Sequence, residues 1–303
     1  MTNLTDFQKK MMDLLPHVEL KLGEAMAKHT SFRIGGGVEV MAFPDTIDKL
    51  GDVLRAAAKL SVQPRILGAG TNILAPDEGI EGLVVCLKDS LDGMERLDET
   101  TIRVMAGVTM TRAAVYAANL GLSGLEFSHG IPGPVGGGVY MNAGAYGGEI
   151  CQVCTQVAVM DMAGDLKVLS ADEMGFSYRH SRLEEEPGIV VWADFQLVKA
   201  PEAEIKAKMQ ELMGKRRASQ PLELPSAGSA FKRQVGGYAA ALIDQTGLKG
   251  FTGGGAAVSE KHAGFVVNVG CATAADVRQL LAAVSAKVYD NTGIRLEPEV
   301  RIW

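Results

Sequence analysis

The residues best placed to do chemistry fall in five short segments, and in the first two the backbone is the reactive surface. Arg65–Leu67 reads as a strand that runs into Gly68-Ala69-Gly70-Thr71-Asn72 and then into Ile73-Leu74. Glycine carries no Cβ and tolerates positive φ, so such a turn lets N–H groups approach a phosphate closely. It is not a Walker loop, because no Gly-Lys-Ser/Thr follows, and the third glycine of a dinucleotide fingerprint is absent. A tight structural turn is the plainer alternative. The second segment is richer: ten glycines lie between Gly121 and Ile150. A stretch so poor in large side chains builds no core of its own, and a long loop without a packed interior is a binding loop or disordered. Ile131, Val135, Val139, Tyr140 and Met141 are interleaved among the glycines and argue against disorder. The segment therefore reads as backbone laid against a large flat or phosphorylated ligand.

The other three segments carry charge. Ser226, Gly228 and Ser229 precede Phe231-Lys232-Arg233, and Lys215, Arg216 and Arg217 lie just upstream. Together these cations suit a diphosphate, although a helix C-terminus also attracts a basic turn such as 215–217. Ser259, Glu260, Lys261 and His262 sit between a glycine turn and an apolar run, and Glu297, Glu299 and Arg301 close the chain. Neither group has a metal-ligand spacing, and no metal is expected. Gly-x-Ser-x-Gly is absent, and His29, His129, His180 and His262 are scattered, so a hydrolase has no support. Residue chemistry reaches a flat phosphorylated cofactor and an anionic substrate, and stops before a reaction.

The elements that must position these groups follow from patterning. Strand-like runs at 38–44, 65–67, 82–87 and 101–108 alternate with a helix at 47–60 and another after the N-cap Thr109, ended by Gly121. From 151 to 199 the chain reads mostly as strands, at 153–160, 166–169 and 189–197. A helix over 202–217 has Ile205, Met209, Leu212 and Met213 on one stripe. A last helix starts at Thr273, buries Val277, Leu280, Leu281, Val284 and Val288, and stops at Gly293; 294–303 reads as a strand. A boundary is placed at Lys199-Ala200-Pro201.

Composition sets the outer limits. The 303 residues predict about two domains, and a chain this long needs no disulfide or metal staple. A net charge of −6 argues against a protein that coats nucleic acid or an anionic membrane. Residues 1–16 hold no apolar run of signal-peptide length, and no run approaches the ~18 apolar residues of a membrane span, so a cytoplasmic location without membrane insertion is expected. Cys151 and Cys154 form a C-x-x-C, but they read as ordinary cysteines of a strand beginning at 151.

In order along the chain, 30–36 (Thr-Ser-Phe-Arg-Ile-Gly-Gly), 67–72, 130–133 through 142–147, Tyr178-Arg179, 227–232, 247–250, 258–263 and 296–301 resemble the UDP-N-acetylenolpyruvoylglucosamine reductase family over nearly the whole length. The resemblance implies an α+β fold: a two-lobed FAD-binding module of the vanillyl-alcohol-oxidase type, with lobes 1–88 and 89–199. A substrate-binding domain, 200–303, would follow, its C-terminal strand returning to the active site. It implies FAD and NADPH, and reduction of an enolpyruvyl ether of UDP-N-acetylglucosamine for bacterial cell-wall synthesis. The enzyme is expected to be a monomer with a small-molecule substrate and no nucleic-acid partner. Carried over residue by residue, Ser229 becomes the proton donor, while Arg179 and Glu299 stabilise the enol or enolate. FAD would be held by Gly68, Ala69, Gly70, Thr71, Asn72, Gly124, Glu126, Ile131, Pro132, Gly133, Gly136, Gly137, Asn142, Ala143, Gly144 and Tyr146. The loop at 66–74 contains no histidine, so FAD is expected to be non-covalent. Tyr178, Arg216, Arg217 and Lys261 are the expected substrate contacts. Gly264 stands where the family usually has Asn, and Arg233-Gln234 replaces a residue-Pro pair. The short spacing from Arg179 to Ser229 resembles the shorter subtype, which lacks an inserted substrate-capping loop. The competing readings are a sugar or hydroxy-acid oxidase of the same fold and a catalytically silent flavin-binding regulator; the matched Arg179, Ser229 and Glu299 weigh against both.

Overall fold

A computed structural model describes residues 4–233 and 238–303; Gln234 therefore lies outside the described residues. Helices are labelled α1 (Asp6–Leu14), α2 (Ile47–Lys59), α3 (Met110–Asn119), α4 (Val135–Tyr140), α5 (Glu202–Ser219), α6 (Ala239–Gln245) and α7 (Ala274–Thr292). The chain packs as two compact units. The first takes the residues up to Leu22 with 40–69 and 82–215, and the second takes 23–39, 70–81 and 216–303.

Two sheets build the first unit. A four-stranded sheet runs in the order Glu19–Ala25, Gly37–Phe43, Ile80–Cys86, Arg65–Leu67, the last pair parallel. A five-stranded antiparallel sheet runs Leu166–Ser170, Cys154–Asp161, Gly188–Gln196, Thr101–Met105, Met94–Arg96. Because side chains alternate across a strand, the five-stranded sheet feeds two cores. Ala158, Met160, Ile189 and Val191 pack with Leu50, Val53 and Leu54 of α2, whereas Val157, Val159, Val190 and Ala193 pack with Ala113, Ala114 and Ala117 of α3. A bulge opposite Ala158 and Val159 inserts one residue, Val191, and reverses the alternation beyond it. The Val191 carbonyl accepts from Ala106 N–H, and the Ala106 carbonyl accepts from Gly136 N–H, each at 2.9 Å. The bulge thus seats the start of α4.

The second unit is an antiparallel sheet, Ser226–Ser229, Phe265–Asn268, Ala256–Val258, Thr252–Gly253, covered by α6 and α7. The buried stripe of α7 is Val277, Leu280, Leu281, Val284 and Val288, as the sequence indicates, with a Thr273–Asp276 capping box and Gly293 left-handed at φ 72°.

Two readings are corrected. The stretch 294–303 is not one strand: only Arg301–Ile302 pairs, in parallel with Ile73–Leu74. Pro298 has no N–H to contribute to a ladder, and the residues around it are spent on an isolated bridge to Phe231. Cys151 is not on a strand either. It lies in the 3-10 turn Ile150–Gln152, capped reciprocally by Glu149 and Gln152, and the strand begins at Cys154. Both cysteines are free; Cys154 is buried, and burial pushes its thiol up to about 12. Among the described residues no helix is long and apolar enough to cross a membrane.

Candidate active site

In the first unit the two glycine segments meet. A Cβ built on Gly68 would lie 3.0 Å from Pro134 Cγ, so the turn after Arg65–Leu67 and the turn before α4 face each other with room for backbone only. The 130–136 turn is pinned to the start of α3 and the residues just before it: Val135 N–H donates to Val108 O (2.8 Å), Met110 N–H donates to Gly133 O (3.0 Å), and Gly130 N–H donates to Thr111 Oγ1 (3.0 Å). Gly133 has φ 108°, a conformation nearly closed to other residues. Gly138 touches Met110, whereas the Cβ space of Gly137 is open but for Pro134 Cδ at 4.0 Å. One side of α4 is therefore filled by protein and the other lies open. The Glu126 carboxylate accepts from Gly124 N–H (2.8 Å), so this residue shapes its own loop.

Further along, Gly144–Ala145 and Gly148–Glu149 form a small hairpin whose two turn residues, Tyr146 and Gly147, have φ 54° and 89°. Two positive φ values match the strand twist of a two-residue hairpin, and Tyr146 is left exposed. Asn142 is fully buried and makes the central clasp. Its Nδ2 donates to Ser177 O (2.9 Å) and Glu149 Oε2 (3.1 Å), and its Oδ1 accepts from Cys151 N–H (3.0 Å). Ser177 and His180 bracket a tight turn by mutual backbone bonds of 3.2 Å, and Ser181 Oγ donates to Tyr140 O (2.7 Å). Tyr178 and Arg179 are the tip of that turn. Arg179 has φ 55°, donates Nη2 to Gly144 O (2.8 Å), and lies 5.0 Å from the Tyr178 ring centre. The structure thus brings Asn142, Ala143, Gly144 and Tyr146 together with Tyr178 and Arg179. The fasteners Ser177, Ser181 and Glu149 are not distinguishable by type from other polar loop residues.

In the second unit Ser229 and Glu299 become neighbours. Ser229 ends the strand Ser226–Ser229 and is exposed. The carbonyl of the next residue, Ala230, accepts from Glu299 N–H (2.9 Å), and Lys232 N–H donates to Glu297 O (2.9 Å). Lys232 Nζ and the Glu297 carboxylate also pair. On its other side Glu299 meets the Gly70–Asn72 turn: Asn72 Nδ2 donates to Glu299 O (3.2 Å). Gly70 has φ 60°, and a Cβ there would strike the His29 carbonyl. Ser31 N–H donates to Gly70 O (3.1 Å), and Ser31 Oγ donates to Ser226 O, so the 30–36 motif braces both segments.

The three proposed substrate cations differ in setting. Arg216 is buried and donates Nη1 to Gln220 Oε1 (3.1 Å). Arg217 is exposed, and its carbonyl accepts from Lys261 Nζ (2.8 Å), which completes the end of α5. His262 turns back on its own loop: Nδ1 accepts from Gly264 N–H (3.1 Å), and burial holds its pKa below the ordinary histidine value. A Cβ on Gly264 would come 3.0 Å from His262 Cε1.

Comparison with known proteins gives this geometry a context. Residues 38–170 match the FAD binding domain family, and 220–303 match the family described as UDP-N-acetylenolpyruvoylglucosamine reductase, C-terminal domain. The UDP-N-acetylenolpyruvoylglucosamine reductase of Syntrophomonas wolfei is 43% identical over 293 residues, 97% of this chain and 98% of the relative. That of Agathobacter rectalis is 44% identical over 307 residues, 98% of each. The crystal structure of UDP-N-acetylenolpyruvylglucosamine reductase from Thermus caldophilus aligns with a TM-score of 0.77 at 34% identity, covering 95% of this chain and 99% of that one. The fold and site define an FAD-dependent oxidoreductase with an FAD-binding module and a C-terminal α+β domain. Within that class the chain belongs to the UDP-N-acetylenolpyruvoylglucosamine reductase family. The residues present fit FAD: the close approach of Gly68 to Pro134, which a Cβ on Gly68 would crowd, adjoins the open side of α4 at Gly137.

Proposed function

We propose that the protein reduces the enolpyruvyl ether of UDP-N-acetylglucosamine to UDP-N-acetylmuramate, with NADPH as reductant, in bacterial peptidoglycan synthesis. It works as a cytoplasmic monomer on a small-molecule substrate, without a nucleic-acid partner. The lobes 1–88 and 89–199 and the substrate domain 200–303 belong to this reading, supported by family matches at 38–170 and 220–303. The observation that supports it is the backbone bond from Glu299 N–H to Ala230 O, which joins the segment carrying Glu299 to the residue that follows exposed Ser229.

FAD, when bound, supplies hydride transfer from NADPH to the enolpyruvyl methylene carbon. Gly68–Asn72, Gly124, Glu126, 131–133, Gly136, Gly137, 142–144 and Tyr146 hold it without a covalent link. Addition at that carbon builds negative charge on the carboxylate side of the substrate. A fixed cation stabilises such charge most where water is excluded, and Arg179, clamped to Gly144 O, is assigned that role. Ser229 protonates the neighbouring carbon. A serine is a weak acid, so position must make it competent, and Glu299 supports it and the enol. Tyr178, Arg216, Arg217 and Lys261 take the substrate, the cations facing its diphosphate.

The test is direct. Purified protein should be yellow, release flavin on denaturation, and oxidise NADPH only with the enolpyruvyl sugar nucleotide present. Ser229→Ala should slow substrate reduction at least about a hundredfold while NADPH still bleaches the flavin. Colourless protein that FAD cannot reconstitute would refute the proposal, and equal loss of both half-reactions would remove Ser229 as proton donor.

A further inference from the structure

We propose that Asn72 is a positioning residue for Glu299, fixing the carboxylate's backbone from the turn that follows Gly70. The inference rests on the role given to Glu299 above. Asn72 grips the chain on both sides of buried Val300: its Nδ2 donates to Glu299 O (3.2 Å), and its own carbonyl accepts from Arg301 N–H (3.0 Å). From the opposite side Ala230 O accepts the Glu299 N–H at 2.9 Å. Both peptide groups of Glu299 are thereby spoken for, one by the segment that carries Ser229 and one by Asn72. Pro298, with its φ fixed by the ring, removes a further rotation just before the carboxylate.

The arrangement matters because Arg301–Ile302 pairs with Ile73–Leu74 only over two residues, beyond the carboxylate. A two-residue ladder does not fix the peptide at 299, and the Asn72 amide extends the hold by one more bond. Displacement of a reacting group by about 1 Å can cost on the order of a hundredfold in rate. The family resemblance assigns Asn72 to the cofactor; its amide nitrogen is turned to the Glu299 carbonyl.

A double-mutant cycle between Asn72→Ala and Glu299→Gln tests the link, with kcat for sugar-nucleotide-dependent NADPH oxidation taken per bound flavin. Asn72→Ala is expected to lower kcat by about 10- to 100-fold, and by less than about twofold in the Glu299→Gln background. Multiplicative losses would overturn the proposal. Asn72→Asp, of the same size but without the donor, should reproduce the alanine loss; a full rate would also overturn it. Hydrogen exchange of the 297–303 peptide on the same flavin-loaded proteins gives a reading independent of turnover. It should quicken about tenfold on losing the Asn72 amide, and unchanged exchange counts against the proposal. Wild-type protein without substrate-dependent oxidation would defeat the proposed function and leave the exchange result to decide the positioning.

Discussion

The side-chain amide of Asn142 donates to the carbonyl of Ser177 at 2.9 Å, fastening the glycine-rich segment to the turn that presents Tyr178 and Arg179. Asn142 is also one of the few residue types that accept positive φ readily, and it sits at φ 40°.

Replacing Asn142 by alanine should therefore be costly twice. It leaves Ser177 O, Glu149 Oε2 and Cys151 N–H without their shared partner, and it puts a side chain in a conformation that favours Asn or Gly. A loss of about 2–4 kcal/mol is expected, measured as a lower urea midpoint at unchanged slope. An effect under about 0.5 kcal/mol would mean that the turn holds itself.

Gly137 and Gly138 should respond in opposite ways to alanine. A Cβ on Gly138 would lie 2.6 Å from Met110 Sδ inside the core, so Gly138→Ala should destabilise the flavin-free protein. Gly137 has open space, and on propensity alone Gly137→Ala gains up to about 1 kcal/mol in a helix. If that space holds the flavin, the same variant binds FAD at least about tenfold more weakly, a difference of about 1.4 kcal/mol. Apo-protein melting and flavin titration separate the two effects, and undiminished FAD affinity would remove Gly137 from the cofactor contacts.

Much of this architecture is legible from side-chain period alone. The α7 stripe and its Thr273–Asp276 cap stand out, because burial of a helix face leaves a periodic trace. The bulge at Val191 does not: inserting one residue into an apolar run changes no residue type, yet it decides where α4 sits. Ser229 and Glu299 could be matched to a family motif, but nothing local says that residues 70 apart in number share a backbone bond through Ala230. Asn142 and Asn72 read as members of glycine-rich loops, whereas their amides serve protein carbonyls. Backbone satisfaction is a property of the folded chain, so sequence carries little trace of it.

The segment after Asn72 holds another inward-facing group. Asp77 Oδ1 and Oδ2 accept from Ala274 N–H (2.8 Å) and Ala275 N–H (3.1 Å), the first free donors of α7. A carboxylate there satisfies two orphan N–H groups and faces the positive end of the helix dipole. Asp77→Ala should cost about 1–2 kcal/mol, and Asp77→Asn less, because the amide can still accept one bond. Equal costs for the two variants would show that charge rather than hydrogen bonding holds this end.

His262 sets a pH dependence whose sign follows from its contacts. Burial, with a smaller push from Lys249, lowers its pKa below the ordinary value, and Nδ1 must be unprotonated to accept the Gly264 N–H at 3.1 Å. The folded protein therefore binds fewer protons here than the unfolded chain. This contribution is complete above the unfolded pKa of about 6.5 and is lost as pH falls through the folded value. His180 runs the other way: its bond to Glu185 raises its pKa, so its support is present at low pH and fades as pH rises through the folded value. Urea unfolding at pH 7.5 and 5.5 should thus show an acid-side loss that His262→Gln flattens and His180→Gln does not. An acid limb that survives in His262→Gln would place the titrating group elsewhere.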